Sequence, residues 1–233
     1  VPADFIHLQE GSSRINVKLH AGTDTEINGQ GPTVTPEALA ELFRKLSVMQ
    51  EGDTLVLAGS VPAGLPDTMY CDMMERLQQK GIRFAVDASG ELLRKTLQYT
   101  PFLIKPNHHE LGALFGVRLN TPGEAERYAR KLQDMGAQNV LVSMAEKGAV
   151  LVGANGESYY RRALQGKAVN TTGAGDSMLA GFLAGWEQYG NEEKALHMGL
   201  AAASVSVFSG SLADGEKTRK LFDTIEAAVR QRS

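Results

Sequence analysis

The residues most suggestive of chemistry lie in the stretch 169–177, which reads Val-Asn-Thr-Thr-Gly-Ala-Gly-Asp-Ser. The small residues Gly173, Ala174 and Gly175 open a long segment rich in glycine and alanine that has the character of a helix. Backbone N–H groups at the start of a helix can face an anion, and the helix dipole also favours negative charge there. The stretch therefore predicts a phosphate-binding turn.

Asp176 places a carboxylate on the first turn of this predicted helix, beside the anion. Such a carboxylate can accept the proton of an attacking hydroxyl while the amides of residues 173–175 stabilise charge on a transferred phosphoryl group. The alternative is that Asp176 is only a first-turn helix acid and that the glycines only allow tight packing. The local pattern leaves both interpretations open.

The elements that must position this turn alternate along the chain. Residues 4–9, 14–19 and 23–28 predict a small antiparallel β unit, and Thr35 and Pro36 precede a helix over 36–49. Short apolar strands are predicted at 54–58, 83–86, 102–104 and 140–142. They alternate with predicted helices at 66–80, 91–99, 109–115 and 124–135. A hairpin over 149–160 and helices at 174–188, 192–208 and 215–230 complete the pattern.

This alternation predicts an α/β fold with a parallel sheet covered by helices on both faces. Ligands of such sheets bind outside the carboxyl ends of the strands. Functional residues are therefore expected in the loops that follow the strands, at 59–62, 87–90, 105–107, 143–148 and 170–176.

The composition is that of a globular protein, with 42% hydrophobic and 22% charged residues. The formal net charge is −3 and the basic residues form no runs, so a nucleic-acid partner is not expected. No apolar run is long enough to cross a bilayer and no leader opens the sequence, which favours a cytoplasmic location without membrane contact. Cys71 is the single cysteine and is expected to be a buried structural thiol.

Four segments carry a resemblance to a known family. The run NTTGAGDSMLAGFLAG at 170–185 is preceded, in order, by LAGSVPAG at 57–64, IKPNHHEL at 104–111 and VSMAEKGAVLV at 142–152. Together they resemble the ribokinase-like, phosphofructokinase B type sugar kinases over nearly the whole chain. The resemblance implies a ribokinase-like three-layer α/β/α domain with a mainly parallel sheet and a small β lid. The lid would span residues 1–35 and the kinase core residues 36–233.

Carried over by this resemblance, Asp176 would be the catalytic base, with Gly173, Ala174 and Gly175 as the anion hole. Asn107 and Glu110 match an Asn-x-x-Glu element that positions Mg²⁺ and phosphate through water. The same two residues could instead form a helix capping box.

The resemblance also implies ATP-binding residues. Lys105 would contact a nucleotide phosphate, although a lysine before Pro106 could also be a solvated loop charge. The loop that borders the ATP phosphates corresponds to Ser143, Met144, Ala145, Glu146, Lys147 and Gly148, and Asn107, Thr172 and Gly175 would also bind the nucleotide. Ala145 departs from the pattern, because glycine is common at this position and only a positive φ would exclude alanine. Residues 201–208 would border the adenine or simply pack as a helix.

On the substrate side, Arg14 matches a lid arginine that reaches the substrate phosphate, and Ser60 follows a strand at the expected site. An exposed strand cation is the rival interpretation of Arg14. Asp87 would shape the sugar site or cap a helix. His108 and His109 have no third ligand at a recognisable spacing, so no metal site is expected there.

The activity implied is transfer of the γ-phosphate of ATP to fructose 1-phosphate, with tagatose 6-phosphate or fructose 6-phosphate as alternative acceptors. A non-catalytic nucleotide- or sugar-phosphate-binding protein on the same fold is the alternative of another class. The lid strands are expected to pair between subunits of a homodimer. The family's acidic strand end and Gly-Gly-Lys element do not precede the lid strands, so an N-terminal part is expected to be missing and this chain could be inactive.

Overall fold

The structure, a computed structural model, describes residues 2–21, 23–62 and 64–231. Five residues that the predicted lid and core include lie outside the described residues: Val1, Gly22, Ala63, Arg232 and Ser233. The chain divides into two compact units, Val1–Phe84 and Ala85–Ser233. The division at residue 35 into lid and core stays a prediction.

The first unit contains a two-stranded antiparallel ladder of β1 (Asn16–Ala21) and β2 (Thr23–Asn28), in which Val17 pairs with Ile27. This confirms the small antiparallel β unit that the alternating sequence predicts. The strand predicted at residues 4–9 is wrong, because this segment has no regular secondary structure. An extended segment becomes a strand only where a neighbour accepts and donates its backbone hydrogen bonds, and the described sheets give this segment none.

Helix α1 (Pro36–Ser47) begins as predicted, since the Thr35 side chain accepts a hydrogen bond from the Ala38 amide at 3.2 Å. Strand β3 (Thr54–Ala58) and helix α2 (Met69–Leu77) follow. A 3₁₀ turn (Gln78–Lys80) then leads to β4 (Arg83–Asp87). Cys71 is buried in α2, as expected for a structural thiol.

The sheet of the second unit continues from the end of β4 through β5 (Leu103–Ile104), β6 (Asn139–Ser143), β7 (Ala149–Val152) and β8 (Ser158–Arg161), in that spatial order. β4, β5 and β6 pair in parallel, and β6, β7 and β8 pair antiparallel. The parallel part and the predicted hairpin at the edge are thereby confirmed.

Helices cover both faces of this sheet. Leu141 and its register partner Leu151 belong to a core that includes Phe182 and Leu196, whereas α5 packs on β6 and β7. The helices are α3 (Gly90–Thr96), α4 (His108–Leu114), α5 (Pro122–Asp134), α6 (Ala174–Tyr189), α7 (Glu192–Ser209) and α8 (Gly215–Arg230). A short 3₁₀ turn, Leu97–Tyr99, extends α3. The predicted α/β class is therefore confirmed.

Helices α6 and α7 approach each other closely through glycines. A Cβ atom at Gly181 would lie 2.6 Å from the Met198 carbonyl oxygen, and one at Gly199 would lie 2.9 Å from the Met178 carbonyl oxygen. The backbones of the two helices are therefore in direct contact. In the described part of the chain, no helix combines the length and apolar character that crossing a membrane requires.

Candidate active site

The predicted phosphate-binding turn begins α6. Gly173 is the N-cap residue with φ +77°, a conformation that glycine adopts without strain, and no side chain caps the helix. The first amides of a helix have no intrahelical acceptor, so they are available to an anion. The Ala174 amide differs from the prediction in one respect, because it donates to the Thr171 carbonyl at 3.2 Å.

A residue that sequence reasoning did not single out holds the chain before this turn. The side chain of Asn170 accepts a hydrogen bond from the Thr172 amide at 2.9 Å. The amides of Val169 and Asn170 both donate to the Val207 carbonyl in α7, at 2.9 and 3.2 Å. The turn is therefore anchored to the end of α7, and only its asparagine in an Asx-type spacing hinted at this.

Asp176 occupies the third position of α6 and is exposed. A carboxylate buried in the apolar interior could not act as a base, but the Asp176 carboxylate is not buried. Its position beside the helix start suits both the predicted base and the alternative of a first-turn helix acid. Its role in catalysis remains a prediction.

Lys105 lies against the same turn. Its Nζ atom is 3.1 Å from the position a Cβ atom would take at Gly175, and 3.0 Å from Oδ2 of Asp87. Lys105 is only 5% exposed, so the interpretation as a solvated loop charge is wrong. The pKa of Asp87 is raised, chiefly because burial penalises its charged form; the Lys105 ammonium opposes this shift and the charge of Asp176 adds to it.

Asn107 and Glu110 form a capping box at the start of α4. Oδ1 of Asn107 accepts from the His109 and Glu110 amides at 2.9 Å, and Oε2 of Glu110 accepts from the Asn107 amide at 2.8 Å. This is the structural alternative that the sequence allowed, and the role of the two residues toward Mg²⁺ stays a prediction. Within residues 2–21, 23–62 and 64–231, no group of three or more His, Cys, Asp or Glu side chains could hold a metal ion by itself.

The loop predicted to border the ATP phosphates follows β6 and contains a 3₁₀ turn, Ala145–Lys147. The Met144 amide donates to the Gly148 carbonyl at 2.8 Å, and the Met144 side chain is fully buried. The Met144 carbonyl in turn accepts from the Lys147 amide at 3.0 Å, so the contacts of Met144 hold the loop itself. Ala145 has φ +50°, the positive value that glycine would adopt more easily. Alanine in place of glycine at this position thus adds backbone strain of about 1 kcal/mol.

The other residues of this predicted nucleotide loop lie at the carboxyl end of β6, the end of the strand at which the fold predicts ligand-binding residues. Ser143 forms an isolated parallel bridge with Asn107, which brings this loop beside the start of α4. Glu146 is exposed, whereas the Lys147 ammonium donates to the Asn120 carbonyl at 2.9 Å. In the predicted adenine-bordering segment, residues 201–206 are buried, so packing accounts for most of it.

The predicted substrate-phosphate residues meet in the first unit. Nη1 of Arg14 donates to Oγ of Ser60 at 2.6 Å, and Nε of Arg14 donates to Oδ1 of Asn16 at 2.8 Å. The Tyr70 hydroxyl braces the loop before Ser60 by donating to the carbonyls of Ala58 at 2.8 Å and Gly59 at 3.1 Å. Tyr70 was not singled out from the sequence, because its position in α2 carries no signal of this contact.

Comparison with known proteins places these features in a family. A family model described as pfkB family carbohydrate kinase matches residues 1–219. A 1-phosphofructokinase of Bacillus subtilis (strain 168) is 43% identical over 217 residues, which cover 93% of this chain and 71% of that protein. A D-tagatose-1-phosphate kinase of Bacillus licheniformis is 35% identical over 219 residues, covering 93% of this chain and 71% of its own.

Solved structures agree with this placement. A putative phosphofructokinase from Staphylococcus aureus matches with a TM-score of 0.81 and 36% identity, covering 94% of this chain and 71% of that chain. A ribokinase from Arabidopsis thaliana, complexed with ribose and ATP, matches with a TM-score of 0.68 and 22% identity over 86% of this chain and 65% of that one. The second match concerns the fold alone, and it confirms the ribokinase-like architecture. The chain belongs to the pfkB family of carbohydrate kinases.

Proposed function

We propose that this protein transfers the γ-phosphate of ATP to fructose 1-phosphate, giving fructose 1,6-bisphosphate. The observation that carries the proposal is the turn at the start of α6, where uncapped amides, the exposed carboxylate of Asp176 and the ammonium of Lys105 lie together. The 43% identity to a protein named 1-phosphofructokinase supports the choice of acceptor.

The chemistry follows from the charges at this turn. Asp176 accepts the proton of the attacking sugar hydroxyl, which makes the oxygen a better nucleophile. The amides of Gly173 and Gly175 donate to the oxygens of the transferred phosphoryl group, whereas the Ala174 amide already donates to the Thr171 carbonyl. Lys105 supplies a positive charge whose position is held by burial, so it can bind ATP phosphates without first being ordered.

Asn107 and Glu110 fit a role toward Mg²⁺, because their oxygen atoms are the ligand type that this ion prefers. Both residues are half-buried at the start of α4, and the capping box holds their side chains in fixed orientations. Contact through water suits this arrangement, since the amides already occupy Oδ1 of Asn107 and Oε2 of Glu110. When bound, the ion would neutralise phosphate charge.

Arg14 and Ser60 are proposed to bind the phosphate of the sugar. Their side chains are joined by a hydrogen bond of 2.6 Å, although they lie 46 residues apart in the sequence. A guanidinium with a neighbouring hydroxyl can offer several donors to one phosphate. Both groups are exposed, so a ligand could reach them.

Substitution of Asp176 tests the assignment of the base. Asp176→Asn is expected to lower kcat by about two to four orders of magnitude while ATP still binds, because only the proton acceptor is lost. Glu216→Gln is the matched control, since Glu216 is also a first-turn carboxylate, in α8. If Asp176 were only a first-turn helix acid, both variants would keep full turnover, and the base assignment would be wrong.

Steady-state assays with several ketose phosphates test the acceptor. The value of kcat/KM is expected to be highest for fructose 1-phosphate, above those for fructose 6-phosphate, tagatose 6-phosphate and tagatose 1-phosphate. The last substrate belongs in the panel because a relative is named D-tagatose-1-phosphate kinase. A higher kcat/KM for either tagatose phosphate would replace the proposed acceptor.

We further propose that a second copy of this chain covers the lid. Ile15, Val17, Leu19 and Ile27 are between 42% and 69% exposed, and the ladder register puts Val17 beside Ile27. The alternation of strand residues places these apolar side chains on one face, which no described element covers. Val17→Lys should reduce the sedimentation mass from that of a dimer to that of a monomer. A monomeric wild-type protein would rule the proposal out.

A further inference from the structure

Asp87 forms an ion pair with Lys105 but has no part in the function described so far. Both side chains are largely buried, with 6% of the lysine and 18% of the aspartate side chain exposed. A lysine has four rotatable bonds, and an ammonium removed from water requires an opposite charge. Asp87 supplies that charge at 3.0 Å, so it determines where the ammonium lies.

The pairing of two neighbouring strands brings these groups together. Val86 pairs with Ile104 in the parallel ladder of β4 and β5, and the Lys105 amide donates to the Val86 carbonyl at 3.1 Å. Asp87 is the last residue of β4 and Lys105 directly follows β5, so both lie at the carboxyl ends of adjacent strands. This is the edge of a parallel sheet at which ligands bind.

The competing explanation of Asp87, that it caps a helix, does not match the structure. Ser89 is the N-cap residue of α3, and no side chain makes a cap hydrogen bond there. The partner that the structure gives to the Asp87 carboxylate is the Lys105 ammonium. That ammonium in turn lies 3.1 Å from the Cβ position of Gly175, on the first turn of α6.

We propose that Asp87 is a positioning residue that holds the Lys105 ammonium against the first turn of α6, and that it acts on ATP only through this lysine. The proposal rests on the proposed function, which puts ATP phosphates at this turn. Without Asp87, Lys105 would be a buried charge with no partner and would move toward solvent. The site would then no longer hold a positive charge in position for the ATP phosphates before ATP binds.

A double-mutant cycle on ATP binding tests the proposal. Calorimetric titration with ATP is expected to give about a tenfold higher Kd for Asp87→Asn and for Lys105→Met than for the wild type. In the Lys105→Met background, Asp87→Asn should change Kd by less than about twofold, since the lysine through which it acts is gone. Titration with adenosine, which has no phosphates, should give the same Kd for all four proteins.

An ordinary ion pair of the same unit provides the control. Glu216 and Lys220 form an exposed pair at 2.6 Å in α8, and Lys220→Met should leave the Kd for ATP unchanged. Asp87→Ser is the second variant if Asp87→Asn does not fold, because serine is smaller and also uncharged. Asp87→Glu keeps the charge, so its Kd for ATP should be closer to that of the wild type than the Kd of Asp87→Asn or Asp87→Ser.

Two outcomes would overturn the inference. Additive effects of Asp87→Asn and Lys105→Met would mean that Asp87 acts independently of the lysine. Tighter ATP binding by Asp87→Asn would mean that the carboxylate only repels the phosphates. The cycle measures binding and not turnover, so a wild-type protein that binds ATP without phosphorylating fructose 1-phosphate would contradict the proposed function and still test this inference.

Discussion

Replacing Gly175 with alanine is expected to stabilise the fold and to impair the use of ATP at the same time. Gly175 is the second residue of α6, in a helical conformation that alanine favours. The new Cβ atom would meet the Lys105 Nζ atom at 3.1 Å. Helix propensity acts on stability and the contact acts on the site, so the two effects can be measured separately.

The magnitudes follow from the geometry. Alanine in place of a helical glycine raises the free energy of unfolding by about 0.5–1 kcal/mol. Uncharged carbon contacts are most favourable near 3.5–4.0 Å, so the ammonium must move by a few tenths of an ångström. A misplacement of 1 Å costs about 100-fold in rate, so this smaller shift should lower kcat/KM for ATP by about 3- to 10-fold.

Gly123→Ala is the matched control, because Gly123 is the second residue of α5 and a Cβ atom there would have no neighbour within 4 Å. Urea denaturation should show a similar gain in stability for both variants, whereas only Gly175→Ala should lose kcat/KM for ATP. Unchanged kinetics for Gly175→Ala, with the expected gain in stability, would refute the placement of Lys105 at the ATP phosphates.

Substitutions at three further positions have expected outcomes. Gly181→Ala should lower the free energy of unfolding in urea by about 1–3 kcal/mol, because its Cβ atom would lie 2.6 Å from the Met198 carbonyl oxygen; a stability equal to that of the wild type would contradict the backbone contact of α6 and α7. Ala145→Gly should raise this free energy by about 0.5–1 kcal/mol, since glycine relieves the strain of φ +50°, and a loss of stability would count against that strain. Asn107→Ala should lower the melting temperature through a loss of about 1 kcal/mol, whereas Asn107→Ser should keep the cap; equal melting temperatures would show that the cap contributes nothing.

Periodicity and turn chemistry predicted much of the architecture because they are local. Helix α8 has the predicted bounds, and α6 begins at the predicted residue, since glycines and an N-terminal carboxylate mark its start. The strand predicted at residues 4–9 failed for a reason that is not local. Its residues have a suitable pattern, but a strand also needs a neighbour, and the sequence does not say which segment will pair with which.

The features of the candidate site also divide into those that local sequence determines and those that depend on the fold. The turn at residues 173–176 could be predicted because its conformation depends on its own glycines. The pairing of Lys105 with Asp87 could not, since it arises from the order of β4 and β5 in the sheet. The positive φ of Ala145 was also beyond prediction, because the hydrogen bond between Met144 and Gly148 that closes the loop is seen only in the folded chain.

The direct contact between the backbones of α6 and α7 has a consequence for how the enzyme can respond to change. Flexible side chains between two helices can rearrange when one helix tilts slightly. Gly181 and Gly199 have no side chains that could rearrange in this way. A tilt of α7 must therefore be passed on to α6, and with it to the amides at its start. Substitutions between α6 and α7 far from the first turn of α6 should consequently change the rate of phosphoryl transfer, although the substituted residues contact no ligand.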